Sequence, residues 1–416
     1  MADIASQAEP FRLSMLIYDR RYRSLTIQAV VFIAVMLMAS WLINNTIENL
    51  ARLGKTFSFG FLWQRAGYDI PQQLIPYNSD DTHLRAAVVG LLNTLLVSIL
   101  GCIAATILGV FVGVLRLSRN WLVSRIMTIY VEVFRNIPLL LWILVILAIF
   151  TETLPQPRDF RGEDAASSMV LFDSVAFTNR YTAVPAFAMT NDPGRLEIGR
   201  DGVNYAVLAF AIVLIAGWIA RRMISNWAQR TQDSTGRRPT TWWMQIGVFL
   251  VPALLLAWYF GLHLTKPTIT GFNFTGGLTL DNSFVVLWAA LTLYTGAFIA
   301  EIVRAGILAV SKGQTEAAFA LGLRPNRTMN LVILPQALRV IIPPLISQYL
   351  NLTKNSSLAI AVGYMDLRGT LGGTTLNQTG REMECMVLMM GIYLLLSLTI
   401  SGGMNVYNSS VKLKER

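Results

Sequence analysis

The chain has 416 residues, of which 54% are hydrophobic and 14% charged, and its formal net charge is +10. A soluble domain usually carries about 25% charged residues, so this composition excludes an ordinary soluble protein. Apolar runs of about 20 residues recur along the chain, and each could cross the bilayer hydrocarbon as a helix. The basic residues are spread over the segments between these runs, which argues against a nucleic-acid-binding surface.

Eight of these runs are predicted to be transmembrane helices, so we expect an all-α, polytopic integral membrane protein. The first is predicted to be retained in the mature protein, because no clear small-residue cleavage site follows it. The eight predicted spans are 26–43, 86–115, 126–150, 203–219, 243–262, 283–308, 338–363 and 384–405.

Lys and Arg residues in the segments between the spans predict the orientation of the chain. They are more numerous on the side that also holds both termini, which the positive-inside rule assigns to the cytoplasm. Two long segments, 44–85 and 151–202, then face outside. We interpret them as surface loops or as a contact surface for an external binding protein. The basic segment 220–241 is predicted to be an inside linker.

The most specific motif is a charged segment between two apolar spans, which reads EAAFALGLRPNRTMNLVILP. Glu316-Ala317-Ala318 is followed at fixed spacing by Gly322 and then by Leu334-Pro335. Glycine permits a tight turn, so a short helix is predicted to end at Gly322. The motif resembles the cytoplasmic coupling loop of ATP-binding-cassette (ABC) importer permeases, and the predicted orientation places it inside.

The resemblance implies a type I (MetI-like) importer core of five helices, built from residues 86–150 and 283–405. Residues 1–85 then form a cytoplasmic N-terminus, one extra span and an outside loop. The insertion 151–282 adds two more spans within the permease domain 86–405, and 406–416 form a cytoplasmic tail.

Two charged pairs lie near the predicted inner ends of spans. Glu132 with Arg135, and Glu301 with Arg304, are spaced three residues apart, so each pair can meet on one helix face. The sequence EVFRNIPLLL around the first pair resembles an element of polar amino-acid permeases. The pairs either brace the inner mouth or act in gating.

The seventh predicted span carries polar residues at a depth where they are costly unless they face a cavity or a protein partner. We expect a break at Pro343-Pro344 and a solute pathway beyond it. Lys354 either meets a substrate carboxylate, extends outward to the interface, or pairs with a carboxylate such as Glu301. The predicted pathway residues are Asn351, Lys354, Asn355 and Ser356.

Small residues in the second span predict a close contact with another helix. Gly101, Gly109 and Gly113 recur along it, and glycine lets two helix backbones approach each other.

The sequence lacks the motifs of an enzyme. It contains no G-x-x-x-x-G-K-[ST] phosphate loop, no nucleophile elbow and no zinc helix, so we expect no catalytic residues, no bound metal and no cofactor on this chain. A self-sufficient secondary transporter or channel is the alternative class. It would need carboxylates deep in the bilayer, and the only candidates, Glu132 and Glu301, lie near span ends with an arginine in reach.

The resemblance extends to the permeases of bacterial general L-amino-acid transport systems. It implies a permease subunit in the inner membrane that moves L-amino acids by alternating access. It also implies two cytoplasmic ATPase subunits that hold ATP and Mg, a second permease, for which a paralogue is favoured over an identical copy, and a periplasmic amino-acid-binding protein.

Overall fold

The computed structural model of the protein describes residues 17, 19–52, 54, 56–162, 165–198 and 201–411. The chain divides into two compact units, residues 1–61 and 62–416. Much of the two predicted cytoplasmic ends lies outside the described residues, which do not include 1–16 or 412–416.

The first unit contains helix α1 (Arg20–Arg52). This helix is longer than the predicted span 26–43, because it continues through the polar residues on both sides. At 1.5 Å per residue its 33 residues extend about 50 Å, more than the roughly 30 Å of bilayer hydrocarbon. None of its apolar window is buried within the chain, as a lipid-facing span requires.

The third predicted span, 126–150, is not one straight helix. Two helices take its place, and the chain bends by 109° between them. Pro138 explains the break, because it has no N–H to donate and holds Ile137 in an extended conformation (φ −105°, ψ 134°). The helices of this region are α2 (His83–Leu115), α3 (Trp121–Asn136) and α4 (Leu139–Glu152).

The insertion 151–282 contains nine short strands in its described part, and the all-α prediction missed them. Each has two to four residues, too few to show an alternating pattern in the sequence. They pair as antiparallel ribbons. The strands are β1 (Ala176–Phe177), β2 (Tyr181–Val184), β3 (Ala186–Met189), β4 (Arg195–Ile198), β5 (Asp201–Asn204), β6 (Leu262–Thr265), β7 (Thr268–Thr270), β8 (Asn273–Thr275) and β9 (Leu278–Asp281).

Strands β2 and β9 join the two ends of the insertion. They run antiparallel, with Tyr181 opposite Asp281 and Val184 opposite Leu278. The chain therefore leaves the core and returns to it at one place.

Two helices, α5 (Tyr205–Thr235) and α6 (Trp242–Tyr259), lie between β5 and β6. The prediction of a linker over 220–241 is wrong for most of that segment. Residues 220–235 contain neither Gly nor Pro, so α5 continues until Gly236, which adopts φ +69°.

The prediction of a break at Pro343-Pro344 is also wrong. The helix there continues through both prolines, and its α-helical form ends at Asn355. Each proline leaves one backbone carbonyl without its N–H donor. The other helical hydrogen bonds persist because the bilayer offers the backbone no other partner. The last helices are α7 (Asn282–Leu308), α8 (Lys312–Ala320), α9 (Pro325–Thr328), α10 (Leu334–Asn355), α11 (Leu367–Gly369), α12 (Leu376–Thr379) and α13 (Glu382–Val411).

Wider and tighter turns connect these last helices. The backbone is π-helical over Met329–Ile333 and Thr370–Thr375, and it is 3-10 helical over Ser356–Val362. As a result, Pro325–Val362 forms one long candidate span of 38 residues.

The core of the second unit forms where α2 packs along α7. Two of the glycines predicted to allow close contact, Gly109 and Gly113, lie at this contact, whereas Gly101 faces Leu352 of α10. A Cβ atom on Gly109 would come within 2.6 Å of Ile299 Cβ, and one on Gly113 within 2.7 Å of the Ala300 carbonyl oxygen. Fully buried apolar side chains from α2, α4, α7 and α10 complete the cluster; they include Val97, Ile143, Leu287, Leu291 and Leu352.

Within the described residues, seven helices are long and apolar enough to cross a membrane. The bent pair α3–α4 raises the number to eight if it counts as one span. The predicted number of spans is therefore confirmed by length and composition.

Candidate functional site

The predicted coupling loop forms the short helix α8, which lies between the candidate spans that contain α7 and α10. It ends at Gly322, where φ is +76°. There the N–H of Leu323 donates to the carbonyl of Ala318 at 3.1 Å, and the N–H of Gly322 donates to that of Phe319 at 2.9 Å. This pair of bonds is the Schellman arrangement, which needs a left-handed residue at its turn. The helix end predicted at Gly322 is confirmed.

One face of α8 is exposed and partly apolar. Glu316 and Ala317 are exposed, whereas Ala318 is buried. Phe319 is 48% exposed and Leu321 is 82% exposed. Large apolar side chains exposed together outside the spans are typical of a protein-docking surface.

A hydrogen bond connects the base of α8 to the start of α10. The side chain of Gln336 donates a hydrogen bond to Gln314 at 3.3 Å. Leu334-Pro335 begins α10 directly after the π-helical turn, and Leu334 is 41% exposed. The motif residues are thus brought together in one loop, with α8 held at its base and exposed at its tip.

A second cluster centres on the carboxylate of Glu301, on α7. Arg304 donates to it at 2.6 Å, as its spacing predicted, and Arg116 also pairs with it. Arg135 lies 4.0 Å from the same carboxylate and its guanidinium lies over the ring of Phe298, 5.3 Å from the centroid. Glu301 therefore connects the ends of α2 and α3 to α7.

The predicted pair of Glu132 with Arg135 is not a salt bridge among the described residues. Arg135 turns toward Glu301, and Glu132 is exposed and accepts a hydrogen bond from Asn136 at 3.3 Å. Sequence reasoning also missed Arg116, which looks like a basic residue of a connecting loop. It caps the end of α2, and only the packing of α2 on α7 brings it to Glu301.

The four predicted pathway residues do not share one environment. Asn351 and Lys354 are exposed on α10, and Asn355 is half-buried. Ser356 is fully buried, and its hydroxyl donates to the carbonyl of Thr353 at 2.7 Å. Lys354 has no salt bridge among the described residues, and the carboxylate of Glu301 pairs with arginines instead. The alternative that paired these two residues is therefore wrong.

A buried polar network around Asp366 was not predicted. Asp366 lies between the last two candidate spans and is fully buried. Its carboxylate accepts from the N–H of Gly369 at 2.8 Å and from the hydroxyl of Tyr393 at 3.3 Å. Burial raises the pKa of Asp366 to about 7. A single Asp in a connecting segment gives no sequence signal that the segment folds back onto α2, where Thr94 accepts from the N–H of Leu367.

Comparison with known proteins gives consistent matches. The family of binding-protein-dependent transport system inner membrane components matches residues 105–410. The chain is 62% identical over 416 residues to the glutamate/glutamine/aspartate/asparagine transport system permease protein BztB of Rhodobacter capsulatus, covering 98% of this chain and 97% of that protein. It is 44% identical over 412 residues to the general L-amino acid transport system permease protein AapQ of Rhizobium johnstonii, covering 98% and 96%.

Among solved structures, a crystal structure of an amino acid ABC transporter with histidines aligns over 79% of this chain and 95% of that chain, at 18% identity and a TM-score of 0.44. The family match covers most of the chain, including α8 and the Glu301 cluster. With its candidate spans and its relatives of nearly equal length, the chain belongs to the binding-protein-dependent transport system inner membrane components, as a multi-span permease subunit.

Proposed function

We propose that this chain imports L-amino acids by alternating access and receives the work of ATP hydrolysis through α8. The observation that carries the proposal is the exposed face of α8, with Phe319 and Leu321 at its tip and Glu316 beside them. Burying a leucine side chain stabilises an interface by about 1.5–3 kcal/mol, so such a face suits a protein partner. That partner is an ATPase subunit, which supplies the ATP and Mg.

The substrate class rests on the named relatives. One is described as a transporter of glutamate, glutamine, aspartate and asparagine, and the other of L-amino acids in general. Both groups share the α-carboxylate and α-ammonium. In this proposal the exposed face of α10 that carries Asn351 and Lys354 lies along the solute pathway, with Lys354 toward the carboxylate.

The assembly follows from the same proposal. Two ATPase subunits and a second, paralogous permease complete the membrane complex, and a periplasmic binding protein delivers the amino acid. Both termini and α8 lie in the cytoplasm, as the distribution of Lys and Arg supports. The description of the family as binding-protein-dependent supports the external partner.

The test is Leu321→Asp in the complete complex, reconstituted in liposomes with amino acid and binding protein outside and ATP inside. Placing a charge in a buried contact is expected to lower uptake and ATPase retention about tenfold or more. The matched control is Leu264→Asp, since Leu264 is 51% exposed on β6 of the insertion.

The proposal predicts full uptake for the control and none for the permease without ATPase. Normal uptake and ATPase retention in Leu321→Asp would contradict coupling through α8. Concentrative uptake by the permease alone would instead support a self-sufficient carrier.

A further inference from the structure

The two helices of the insertion form a groove that the import mechanism does not use. It lies between α5 and α6 and has a volume of about 600 Å³. Gly217 helps to bring the helices together, because a side chain there would meet the ring of Phe249 at 2.6 Å. The groove is lined by Leu214, Arg221, Trp242, Gln245, Phe249 and Leu250, among others.

One end of the groove is polar and positively charged. Arg221 lines it together with Trp242 and Gln245, which lie in the first turn of α6. Arg221 is exposed and has no salt bridge among the described residues. Acidic partners are scarce in this region, since Asp233 is the single acidic residue between positions 202 and 280.

The rest of the groove is apolar. Leu214 precedes Arg221 by seven residues, which places it about 10 Å further along the helix axis. Phe249 and Leu250 line the groove at a similar distance beyond Trp242 on α6. The groove therefore presents a cation at one end and an apolar channel beyond it.

Aromatic residues place the charged end at the level of lipid headgroups. Trp242-Trp243 begins α6 and Trp258-Tyr259 ends it, and all four side chains are exposed. Their separation of about 24 Å along the helix fits two interfacial aromatic belts. Arg221 shares the level of the first pair, so its guanidinium lies where phosphates are found.

The rest of the chain covers little of this hairpin. No residue of α6 is buried, and only Ala206, Gly217 and Ala228 are buried in α5. The exposed faces of both helices carry large aliphatic side chains such as Ile212 and Leu254.

We infer that the groove binds an anionic phospholipid, with its phosphate on Arg221 and one acyl chain along Leu214, Phe249 and Leu250. The charge of Arg221 is unneutralised by the described part of the chain, and a phosphate supplies the opposite charge. A basic pocket between transmembrane helices is a usual site for anionic headgroups. The bound lipid fixes the depth of the hairpin in the membrane.

The probe is a phosphatidylglycerol with a diazirine near the end of one acyl chain, added to the complete complex in nanodiscs. We expect crosslinks at Leu214, Phe249 or Leu250, located by peptide mass spectrometry. Arg221→Gln is expected to reduce labelling about fivefold, the effect of one interfacial arginine. Leu214→Trp fills the channel without changing charge and should also reduce labelling.

Arg237→Gln is the matched control, because Arg237 is exposed but lies beyond the end of α5 and outside the groove. It should label as the unchanged protein does. Equal labelling with a phosphatidylcholine probe, or unchanged labelling in Arg221→Gln, would overturn the inference. Protein–protein crosslinks that fill the groove and exclude the probe would assign it to a partner helix instead.

Discussion

At the scale of single residues, the direction in which a side chain points decides whether a predicted pathway residue is exposed or buried. Asn351 and Lys354 are three residues apart and share the exposed face of α10, whereas Ser356 points into the core. The sequence motif groups these residues, but helical geometry separates them. Of the four predicted pathway residues, only Asn351 and Lys354 are exposed.

Lys354→Met tests that face at the residue scale. A charged hydrogen bond to the substrate contributes about 1.5–3 kcal/mol, so losing it should raise the KM for amino-acid uptake about tenfold or more. The effect should extend to acidic and neutral amino acids alike, because both carry the α-carboxylate. Initial uptake rates over a range of solute concentrations measure it.

Lys266→Met is the control, since Lys266 is exposed in the insertion and its ammonium donates to the carbonyl of Phe172. Its KM should stay unchanged. If Lys354→Met also leaves KM unchanged in a fully assembled complex, Lys354 extends to the interface and takes no part in the pathway.

Among the elements, the packing of α2 against α7 positions the Glu301 cluster. Gly109 and Gly113 let the backbones approach, and the same contact brings Arg116 to Glu301. The neighbours of Gly109 include the carbonyl of Gly296 at 2.9 Å, which cannot move aside as a side chain can.

Gly109→Ala should therefore destabilise the protein. Overpacking costs about 1–3 kcal/mol, and the better helix propensity of alanine returns at most about 1 kcal/mol. The thermal unfolding midpoint of the purified complex should fall. Gly391→Ala on α13 is the control, because no atom lies within 4 Å of its added methyl group and its midpoint should hold or rise. A midpoint for Gly109→Ala as high as that of the control would show that α2 and α7 are not held so closely.

At the scale of the whole molecule, the insertion 151–282 has two ends that pair with each other through β2 and β9. Val184 pairs with Leu278, so the outgoing strand β2 and the returning strand β9 lie side by side, and α7 begins directly after β9. The helices α5 and α6 contribute no residue to the main buried cluster. The core is therefore expected to fold without them.

Deleting residues 185–277 and joining β2 to β9 by Asn-Gly tests this expectation. A two-residue turn of that sequence suits the antiparallel pair, and removing two spans keeps the orientation of later helices. The shortened chain should insert in the membrane, with an unfolding midpoint within about 5 °C of the original.

As a control, a chain that lacks only 205–238 removes one span and should misorient α7 and the helices after it, as protease accessibility would report. Failure of the larger deletion to insert would mean that the insertion is part of the folding core.

Much of the architecture could be predicted because its causes are local. Hydropathy locates the spans, Gly322 ends α8 through its left-handed backbone, and the spacing of Glu301 and Arg304 brings them together on one helix turn. Predictions failed where the tendency of proline to end a helix competes with the tendency of an apolar segment to remain helical. Pro343-Pro344 does not break its helix, yet Pro138 breaks the third span sharply.

The sequence by itself determined the spans, the helix end at Gly322 and the family, since these depend on residue types and short spacings. Only the tertiary structure decided that Arg116, 185 residues from Glu301, is its partner, and that Asp366 is buried among polar groups of α2 and α13. The physical reason is that hydrophobicity and backbone sterics act within a few residues, whereas ion pairs and buried networks depend on which helices pack together.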